Sequence, residues 1–283
     1  MFSRVAIVGT GLIGGSFALA LRRARPGARI VGWDRADVLA TATAMGAMDE
    51  QASSLADAVH GAQLVYIALP VGATIESLPA VAEVAAPGAL VTDAASTKLA
   101  VCRTAANCNW RDARFLGGHP IAGKERSGIA NADPDLFRGA KYALAAKSED
   151  KDERVAAFAA LIREMGAEPV FVDTEAHDRA MAFVSHLPQL VAVALAGVAT
   201  DSSNETGLPL TLAGSGLRDT LRLAGSPYDI WRDICLTNRE EIAAALDRLA
   251  QALDHLRNNL ASRELRDQFE RANDLYKILR EMK

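Results

Sequence analysis

The chain has 283 residues, which is enough for two domains or for one large one. Half of its residues are hydrophobic and 23% are charged, as is ordinary for a soluble globular protein. The formal net charge of -4 excludes a global basic field that would recruit nucleic acid or anionic lipid, so any anionic ligand must be held by local Arg or Lys side chains.

The cysteines and the N-terminal sequence bear on the cellular compartment. Cys102, Cys108 and Cys235 follow no metal-ligand spacing and cannot all pair, which favours reduced thiols in a cytoplasmic protein. A strand is predicted to begin by about Arg4, so no signal peptide is expected. No uncharged apolar run is expected to be long enough to span a bilayer. We therefore predict no metal site, no nucleic-acid partner and no membrane.

Short apolar runs alternate with helical stretches in residues 1–173. Val5–Val8 is an unbroken apolar run, typical of a central parallel strand, and a helix is predicted from Leu12 to Arg23. The alternation predicts an α/β fold with a Rossmann-type, doubly wound, mostly parallel sheet and helices on both faces. Six further strands are predicted: Arg29–Trp33, Leu64–Leu69, Ala89–Thr92, Phe115–Leu116, Tyr142–Ala145 and Pro169–Val172.

The pattern G-x-G-x-x-G runs from Gly9 to Gly14, with a predicted strand before it and a predicted helix after it. Gly9 would permit the tight turn. The backbone at Gly11, Leu12 and Ile13, at the N-terminus of the helix, would receive a pyrophosphate because that end of a helix favours anions. Gly14 would let the helix pack closely on the strand. The motif thus predicts a dinucleotide site, and the alternative is a glycine turn without a cofactor.

Other cofactor contacts are predicted at the ends of neighbouring strands. Asp34 ends the second predicted strand, twenty positions after the last glycine of the motif, and would accept hydrogen bonds from the adenosine ribose. A carboxylate there repels a 2′-phosphate, so NAD is favoured over NADP. Arg35 could stack on adenine or tolerate a phosphate. Leu69 and Pro70, at the end of one predicted strand, and Ser96, after the next one, complete the predicted cofactor site.

A candidate catalytic residue, His119, lies in the segment Gly117–Gly123, between two glycines and a proline. We expect a loop there, because glycine lets the backbone approach a ligand and proline stops a strand. An imidazole so placed can accept or donate a proton near neutral pH. Ser96 is predicted at the same sheet edge, where its hydroxyl could orient His119. The alternatives are a helix N-cap or a Ser-His hydrolase, but no G-x-S-x-G pattern surrounds Ser96.

The pattern changes after Asp173, and residues 174–283 are predicted to form an all-helical second domain. Thr174 is predicted as the N-cap of a long helix that Pro188 should kink. Near the C-terminus, apolar residues recur four and three positions apart, which indicates either intramolecular helix packing or a dimer seam. This stripe consists of Ile242, Leu246, Leu249, Leu253, Leu256 and Leu260.

Two segments of the helical region offer binding side chains. His186 lies at the predicted kink, where it either binds a ligand or packs as a structural residue. Arg218 and Arg222 are four positions apart and so share a helix face. Two guanidinium groups on one face suit a dicarboxylate, and surface salt bridging, for example with Asp219, is the alternative.

Taken together, these motifs resemble those of the prephenate dehydrogenase family, also called cyclohexadienyl dehydrogenases, of tyrosine biosynthesis. The resemblance runs from Val5 to about Asn238. The segments around His119 and Ser185, in this order in one chain, are highly specific, whereas the glycine motif alone is not. The matching segments are Gly9–Ser16, Gly117–Gly123 with Ser127–Gly128, Ser185–Pro188, Leu217–Thr220 and Trp231–Ile234.

The resemblance implies an enzyme that converts prephenate to 4-hydroxyphenylpyruvate and carbon dioxide while reducing NAD. It implies that His119 accepts the proton of the 4-hydroxyl group and that Ser96 orients His119. It further implies that Arg222 binds the ring carboxylate, that Arg218 helps to hold the substrate, and that the C-terminal helices form a homodimer. The alternatives are an arogenate or dual-specificity dehydrogenase, a 3-hydroxy acid or imine dehydrogenase, and a non-catalytic NAD-binding sensor.

The sequence departs from the family pattern near the expected substrate. Gln189 stands where many relatives have a second histidine, and Lys124 stands where a hydroxyl residue is common. We place both with His186 among the predicted substrate-binding residues. Lys124 could add positive charge for the side-chain carboxylate or face solvent, and Glu125 could pair with an arginine from the segment Arg218–Arg222 as a gate.

Overall fold

The computed structural model describes residues 2–124, 126–147 and 150–281. Within these residues eight strands form one sheet, in the order β3-β2-β1-β4-β5-β6-β7-β8. All neighbouring strands are parallel except β6 and β7, so the last two strands run opposite to the others. The strands are β1 Arg4–Val8, β2 Arg29–Trp33, β3 Glu50–Gln51, β4 Leu64–Ile67, β5 Leu90–Asp93, β6 Arg114–Pro120, β7 Lys141–Ala145 and β8 Glu168–Phe171.

Helices cover both faces of this sheet. Alternate residues of β1 point to opposite faces, so that Val5 and Ile7 join one hydrophobic core while Ala6 and Val8 join the other. The predicted doubly wound α/β fold is confirmed. Six helices belong to this part of the chain: α1 Leu12–Ala24, α2 Ala36–Ala44, α3 Leu55–Val59, α4 Val71–Val84, α5 Leu99–Ala106 and α6 Glu153–Glu164.

The predicted loop around His119 is wrong, because residues 117–120 continue strand β6. Strand β6 pairs with β5 as far as Leu116 and then pairs with β7, with His119 opposite Ala143. A Cβ on Gly118 would lie 2.6 Å from the carbonyl oxygen of Asp93, so only glycine lets the two strands approach this closely. The glycines therefore serve the packing of the strand rather than a turn. Strand β3, which was not predicted, has only two residues and is too short to give an apolar pattern.

The described residues after 173 form helices throughout. The last strand ends at Phe171, and the division into domains at residue 173 stays a prediction. A π-helical turn, Ala182–His186, ends two residues before Pro188, so the regular α-helix is interrupted near the place predicted for the kink, and the kink itself stays a prediction. The helices are α7 Thr174–Met181, α8 Leu187–Thr206, α9 Leu208–Thr211, α10 Ser215–Leu221, α11 Tyr228–Thr237, α12 Arg239–Asn258 and α13 Glu264–Glu281.

The N-cap of α7 is Asp173 rather than the predicted Thr174. The Asp173 backbone is extended, and its carboxylate accepts hydrogen bonds from the N–H groups of Glu175 and Ala176. A carboxylate in this position satisfies two amides that the helix leaves without a partner. The helix therefore begins at Thr174, one residue earlier than predicted.

One helical stretch, Thr174–Glu205, is long and apolar enough to cross a membrane by length and composition. The expectation that no run is long enough is therefore wrong. Its most apolar window has a mean hydropathy of 1.7, and 28% of that window is buried within the chain. A single stretch of this kind is also found in helices that pack against other protein helices, so it carries no membrane assignment.

Candidate active site

The glycine motif between β1 and α1 has the backbone geometry of a phosphate cradle. Gly9 has φ +91°, and a Cβ there would lie 2.7 Å from the carbonyl oxygen of Ala68. A Cβ on Gly14 would collide with the carbonyl of Gly9, so helix and strand pack too closely for a side chain. Gly11, by contrast, has open space beside it at the N-cap of α1. The backbone there can receive a bulky anion, and the residues present fit a dinucleotide.

The predicted ribose ligand, Asp34, lies next to this cradle at the end of β2. Its Oδ2 accepts a hydrogen bond of 2.7 Å from the backbone N–H of Thr10, and its Oδ1 accepts one from the N–H of Arg35. These contacts fix the carboxylate beside the glycine motif. The Arg35 side chain is exposed and lies 3.6 Å from the carboxylate of Asp37. Arg35 thus faces solvent, with its charge partly offset.

A cavity of about 440 Å³ brings residues of the sheet together with residues of the helical region. It is bordered by the N-terminus of α1, by the ends of β4 and β5, and by helix α11. Of the predicted site residues, those lining the cavity are Gly11, Leu12, Ile13, Leu69, Pro70, Ser96, His119 and Lys124. The predicted residues that do not line it are Gly9, Gly14, Asp34, Arg35, His186, Gln189, Arg218 and Arg222.

His119 projects from β6 into this cavity and is only 7% exposed. Its Nδ1 lies 3.0 Å from Nε2 of His177. Burial lowers the pKa of His119 well below its ordinary value of 6.5, and the charges of His177, Lys98 and His186 lower it further. The imidazole is therefore neutral near pH 7 and can act as a proton acceptor.

Ser96 lies on the segment between β5 and α5 and lines the same cavity. The hydrogen bond at Nδ1 of His119 is made by His177, so the predicted orienting role of Ser96 has no counterpart at that nitrogen. Ser96 is not a helix N-cap either, because Lys98 occupies that position of α5. Ser96 thus borders the space that a ligand in the cavity would occupy.

Asp93 and Lys98 support the strand that carries His119. Both side chains are fully buried, and Lys98 Nζ donates to Asp93 Oδ2. Lys98 Nζ also donates to the carbonyl of Gly118 at 2.7 Å, while Asp93 Oδ1 accepts from the N–H of Gly118 at 3.0 Å. The pair therefore binds both backbone groups of the residue before His119.

Two residues that were predicted to bind the substrate, His186 and Gln189, lie behind the residues that line the cavity. His186 is fully buried, and its Nδ1 lies 3.1 Å from Nδ2 of Asn238. Burial lowers the pKa of His186 to about 4, against the opposing charge of Asp178. Gln189 is 3% exposed and donates from Nε2 to the carbonyl of Leu223 at 2.8 Å. The neighbouring Ser185, not His186, lines the cavity.

A second depression of about 570 Å³ adjoins the main cavity and is rich in positive charge. It is lined by Lys124, Arg126 and Arg222, and Lys124 also borders the main cavity. The Lys124 ammonium group donates to Asp133 at 2.8 Å. Arg218 is exposed on α10 and borders neither cavity. Glu125, the predicted gate residue, lies outside the described residues.

His177 and Asp178 were not predicted from the sequence as site residues. Both are buried, and His177 Nδ1 lies 2.7 Å from Asp178 Oδ1. A histidine beside an aspartate, on the apolar side of a helix, was the available signal. It could not indicate His119 as the partner, because the two histidines are 58 positions apart.

Models of one protein family match both the sheet-forming part of the chain and its helical part. The family described as "Prephenate dehydrogenase, nucleotide-binding domain" matches residues 17–171, and "Prephenate dehydrogenase, dimerization domain" matches residues 173–281. The chain belongs to the prephenate dehydrogenase family. The resemblance inferred from the sequence motifs is confirmed, and membership makes the chain an NAD-dependent oxidoreductase.

The similarity to members of the family extends over both parts. The chain is 34% identical to prephenate dehydrogenase of Bacillus subtilis over 274 residues, which cover 95% of this chain and 73% of that protein. Prephenate dehydrogenase from A. aeolicus, crystallised with hydroxyphenyl propionate and NAD+, matches with a TM-score of 0.87 and 30% identity over 99% of this chain and 98% of that one. Synechocystis arogenate dehydrogenase matches with a TM-score of 0.82 and 29% identity over 98% of this chain and 99% of that one.

Proposed function

We propose that the chain catalyses the oxidative decarboxylation of prephenate to 4-hydroxyphenylpyruvate and carbon dioxide, with reduction of NAD. The observation that carries this proposal is the position of His119. A buried, neutral imidazole lies in the same cavity as the N-terminus of α1, beside the glycine cradle. A hydroxyl group bound there meets a proton acceptor next to a redox cofactor, as the oxidation of an alcohol requires.

The cofactor is proposed to lie across the carboxyl edge of the sheet. The backbone at Gly11, Leu12 and Ile13 would hold its pyrophosphate, and Asp34 would bind its adenosine ribose. Leu69, Pro70 and Ser96 would border its nicotinamide end. When bound, NAD supplies the two-electron acceptor for the oxidation. The carboxylate of Asp34 favours NAD over NADP, because a 2′-phosphate would lie against a negative charge.

We propose that His119 accepts the proton of the substrate hydroxyl. Its Nδ1 is occupied by His177, so Nε2 is the ring nitrogen left to accept that proton. Oxidation at the ring carbon turns the hydroxyl into a carbonyl. Loss of the ring carboxylate as carbon dioxide returns an electron pair to the ring, which becomes aromatic, and the proton held by His119 can return to the phenolic oxygen. The aromatic product provides a strong driving force, so the protein chiefly aligns the reactants.

The two carboxylates of the substrate are proposed to lie toward the basic depression. Arg222 and Lys124 border it, and a guanidinium group suits bidentate binding of a carboxylate. Gln189 donates a hydrogen bond to the backbone carbonyl of Leu223, the residue after Arg222, and would thereby fix the backbone beside the arginine. In this arrangement His186 and Gln189 support the wall of the site. Arg126, which the sequence reasoning did not single out, adds a third positive charge.

We also propose a homodimer formed through the helical region. The single chain leaves apolar side chains of three helices in water, among them Val198 of α8, Leu253 of α12 and Phe269 of α13, which are 66%, 56% and 64% exposed. Of the predicted apolar stripe, Ile242 is buried and Leu249 and Leu256 are half-buried, whereas Leu246, Leu253 and Leu260 are exposed. Exposure on this scale is costly for a monomer, and the region matches a dimerization domain. A cytoplasmic location stays a prediction.

Steady-state assays of the purified enzyme test the proposed reaction. Formation of NADH should be followed with prephenate and with arogenate, each with NAD and with NADP. We expect the highest kcat/KM with prephenate and NAD. A higher kcat/KM with arogenate would replace the substrate assignment, and binding of NAD with no turnover of either substrate would favour a non-catalytic NAD-binding protein.

A further inference from the structure

Three buried side chains form a hydrogen-bonded series behind the cavity. His119 Nδ1 lies 3.0 Å from His177 Nε2, and His177 Nδ1 lies 2.7 Å from Asp178 Oδ1. All three are at least nine-tenths buried, with 7%, 3% and 2% of their surface exposed. His119 comes from strand β6, whereas His177 and Asp178 come from helix α7. The contact therefore joins the sheet to the helical region directly at the site.

Asp178 is held so that its carboxylate acts only as an acceptor. Oδ1 accepts from the backbone N–H of Lys98 at 2.7 Å, and Oδ2 accepts from the N–H of Leu99 at 2.9 Å. These amides belong to the N-terminus of α5, which favours a negative group. The backbone carbonyl of Asp178 accepts in turn from Asn238 Nδ2 at 2.7 Å. With both oxygens engaged by backbone donors, the carboxylate cannot rotate away from His177.

The positions of the protons follow from these contacts. Since Asp178 Oδ1 accepts, Nδ1 of His177 must carry a proton and donate it. A neutral His177 then has an unprotonated Nε2, which can only accept. In this state of His177, the hydrogen bond between the two histidines requires Nδ1 of His119 to be the donor. His119 would then be protonated on Nδ1, and the lone pair on its Nε2 would be left for a ligand in the cavity.

We propose that His177 and Asp178 are positioning residues that hold His119 in the tautomer with a basic Nε2. Neither residue touches the substrate, and each acts through His119. The arrangement resembles in kind the pairing of a catalytic histidine with an orienting acid in other enzymes, where the acid fixes the tautomer and the ring orientation. The catalytic consequence of this inference rests on the proposed function, whereas the tautomer itself does not.

The test combines a spectroscopic and a kinetic measurement. The chain has five histidines, so nitrogen-15 NMR of protein labelled at histidine can report the tautomer of each ring, with His119→Asn used for assignment. We expect His119 of the unmodified protein at pH 7.5 to carry its proton on Nδ1. Finding the proton on Nε2 would overturn the proposal, whatever the enzyme's activity proves to be.

Two substitutions at position 177 separate positioning from packing. In His177→Asn the amide reaches Asp178 but is too short to reach His119, whereas in His177→Gln the amide carbonyl can extend to the place of Nε2 and accept from His119. We expect His177→Asn to lower kcat by about 10- to 100-fold with little change in KM for NAD, and to shift the His119 tautomer. We expect His177→Gln to recover a substantial part of kcat and the original tautomer.

Asp173→Asn is the matched control, because it removes a carboxylate from the same helix at the N-cap, where asparagine serves equally well. It should change neither kcat nor the tautomer. An unchanged tautomer and unchanged kcat in His177→Asn would overturn the proposal. If His177→Asn does not fold, the comparison of His177→Gln with the unmodified protein decides. If no substrate is turned over, the proposed function fails while the tautomer measurement still tests the positioning.

Discussion

Asp93 and Lys98 form an ion pair with no exposed surface, directly beneath the residue that precedes His119. Removing one partner of a buried pair leaves the other charge uncompensated, which costs about 3–5 kcal/mol. Lys98→Met should therefore lower the free energy of unfolding by about that amount in urea denaturation. Lys141→Met is the control, since Lys141 and Glu168 form an exposed pair that should contribute less than about 1 kcal/mol. Equal losses in the two variants would contradict the assignment.

Loss of the His119 imidazole should remove catalysis without removing the cofactor. General-base assistance contributes about 10²–10⁴-fold to rate, so His119→Asn should lower kcat on that scale. The dissociation constant for NAD should change little, because the glycine cradle and Asp34 are untouched. Single-substrate kinetics together with calorimetric titration of NAD would measure both. Turnover at the unmodified rate would show that another group accepts the proton.

The buried histidines should make the fold less stable in acid. Burial lowers the pKa of His186 from 6.5 to about 4, so between these values the unfolded chain binds a proton that the folded chain does not. The contribution of the neutral His186 to the free energy of unfolding is therefore fully present above pH 6.5. It is lost as the pH drops toward 4, by up to about 3 kcal/mol. His119 contributes in the same direction, since burial also lowers its pKa.

Denaturation at a series of pH values tests this sign. In His186→Gln the loss of stability between pH 6.5 and pH 4 should be smaller than in the unmodified protein. His60→Asn replaces an exposed histidine and serves as the control, with an unchanged slope expected. A slope that His186→Gln leaves unaltered would mean that this histidine is protonated as easily in the folded state as in the unfolded chain.

Asp34 should decide between NAD and NADP. In Asp34→Ser the repulsion of a 2′-phosphate is removed and a hydrogen bond to the ribose is weakened. We expect the ratio of kcat/KM for NADP to that for NAD to rise by about 10-fold or more, which corresponds to about 1.4 kcal/mol. Asp37→Asn is the matched control on the exposed neighbour of Arg35. If both variants change the ratio equally, net charge near the site and not the ribose contact sets the preference.

The exposed apolar stripe of α12 should carry part of the dimer interface. Leu253→Glu places a charge where we propose that a second chain packs, and it should convert the protein to monomers in size-exclusion chromatography with light scattering. Gln251→Glu adds the same charge two residues away on the same helix, at an exposed position that lies on another face. Dimers that persist in Leu253→Glu would place the interface elsewhere.

Local sequence patterns determined much of the fold. Val5–Val8 and the glycines after it could be interpreted as a strand, a tight turn and a helix, because apolar runs and glycine requirements depend on neighbouring residues. Pro188 likewise marked the interruption that the structure has as a π-helical turn. The same patterns placed His119 and Ser96 at one edge of the sheet, where they line one cavity, and the family resemblance added the role of His119 toward the substrate hydroxyl.

Tertiary structure alone decided how His119 is held. The sequence predicted a loop and an orienting serine, whereas the structure has a strand, with His177 at Nδ1 of the ring. It also placed His186 and Gln189 behind the wall instead of in the cavity. These outcomes depend on how α7 and α8 pack against the sheet, and that packing brings together residues far apart in the chain. Local periodicity carries no information about such contacts, since a buried hydrogen bond depends on the partner that the fold supplies.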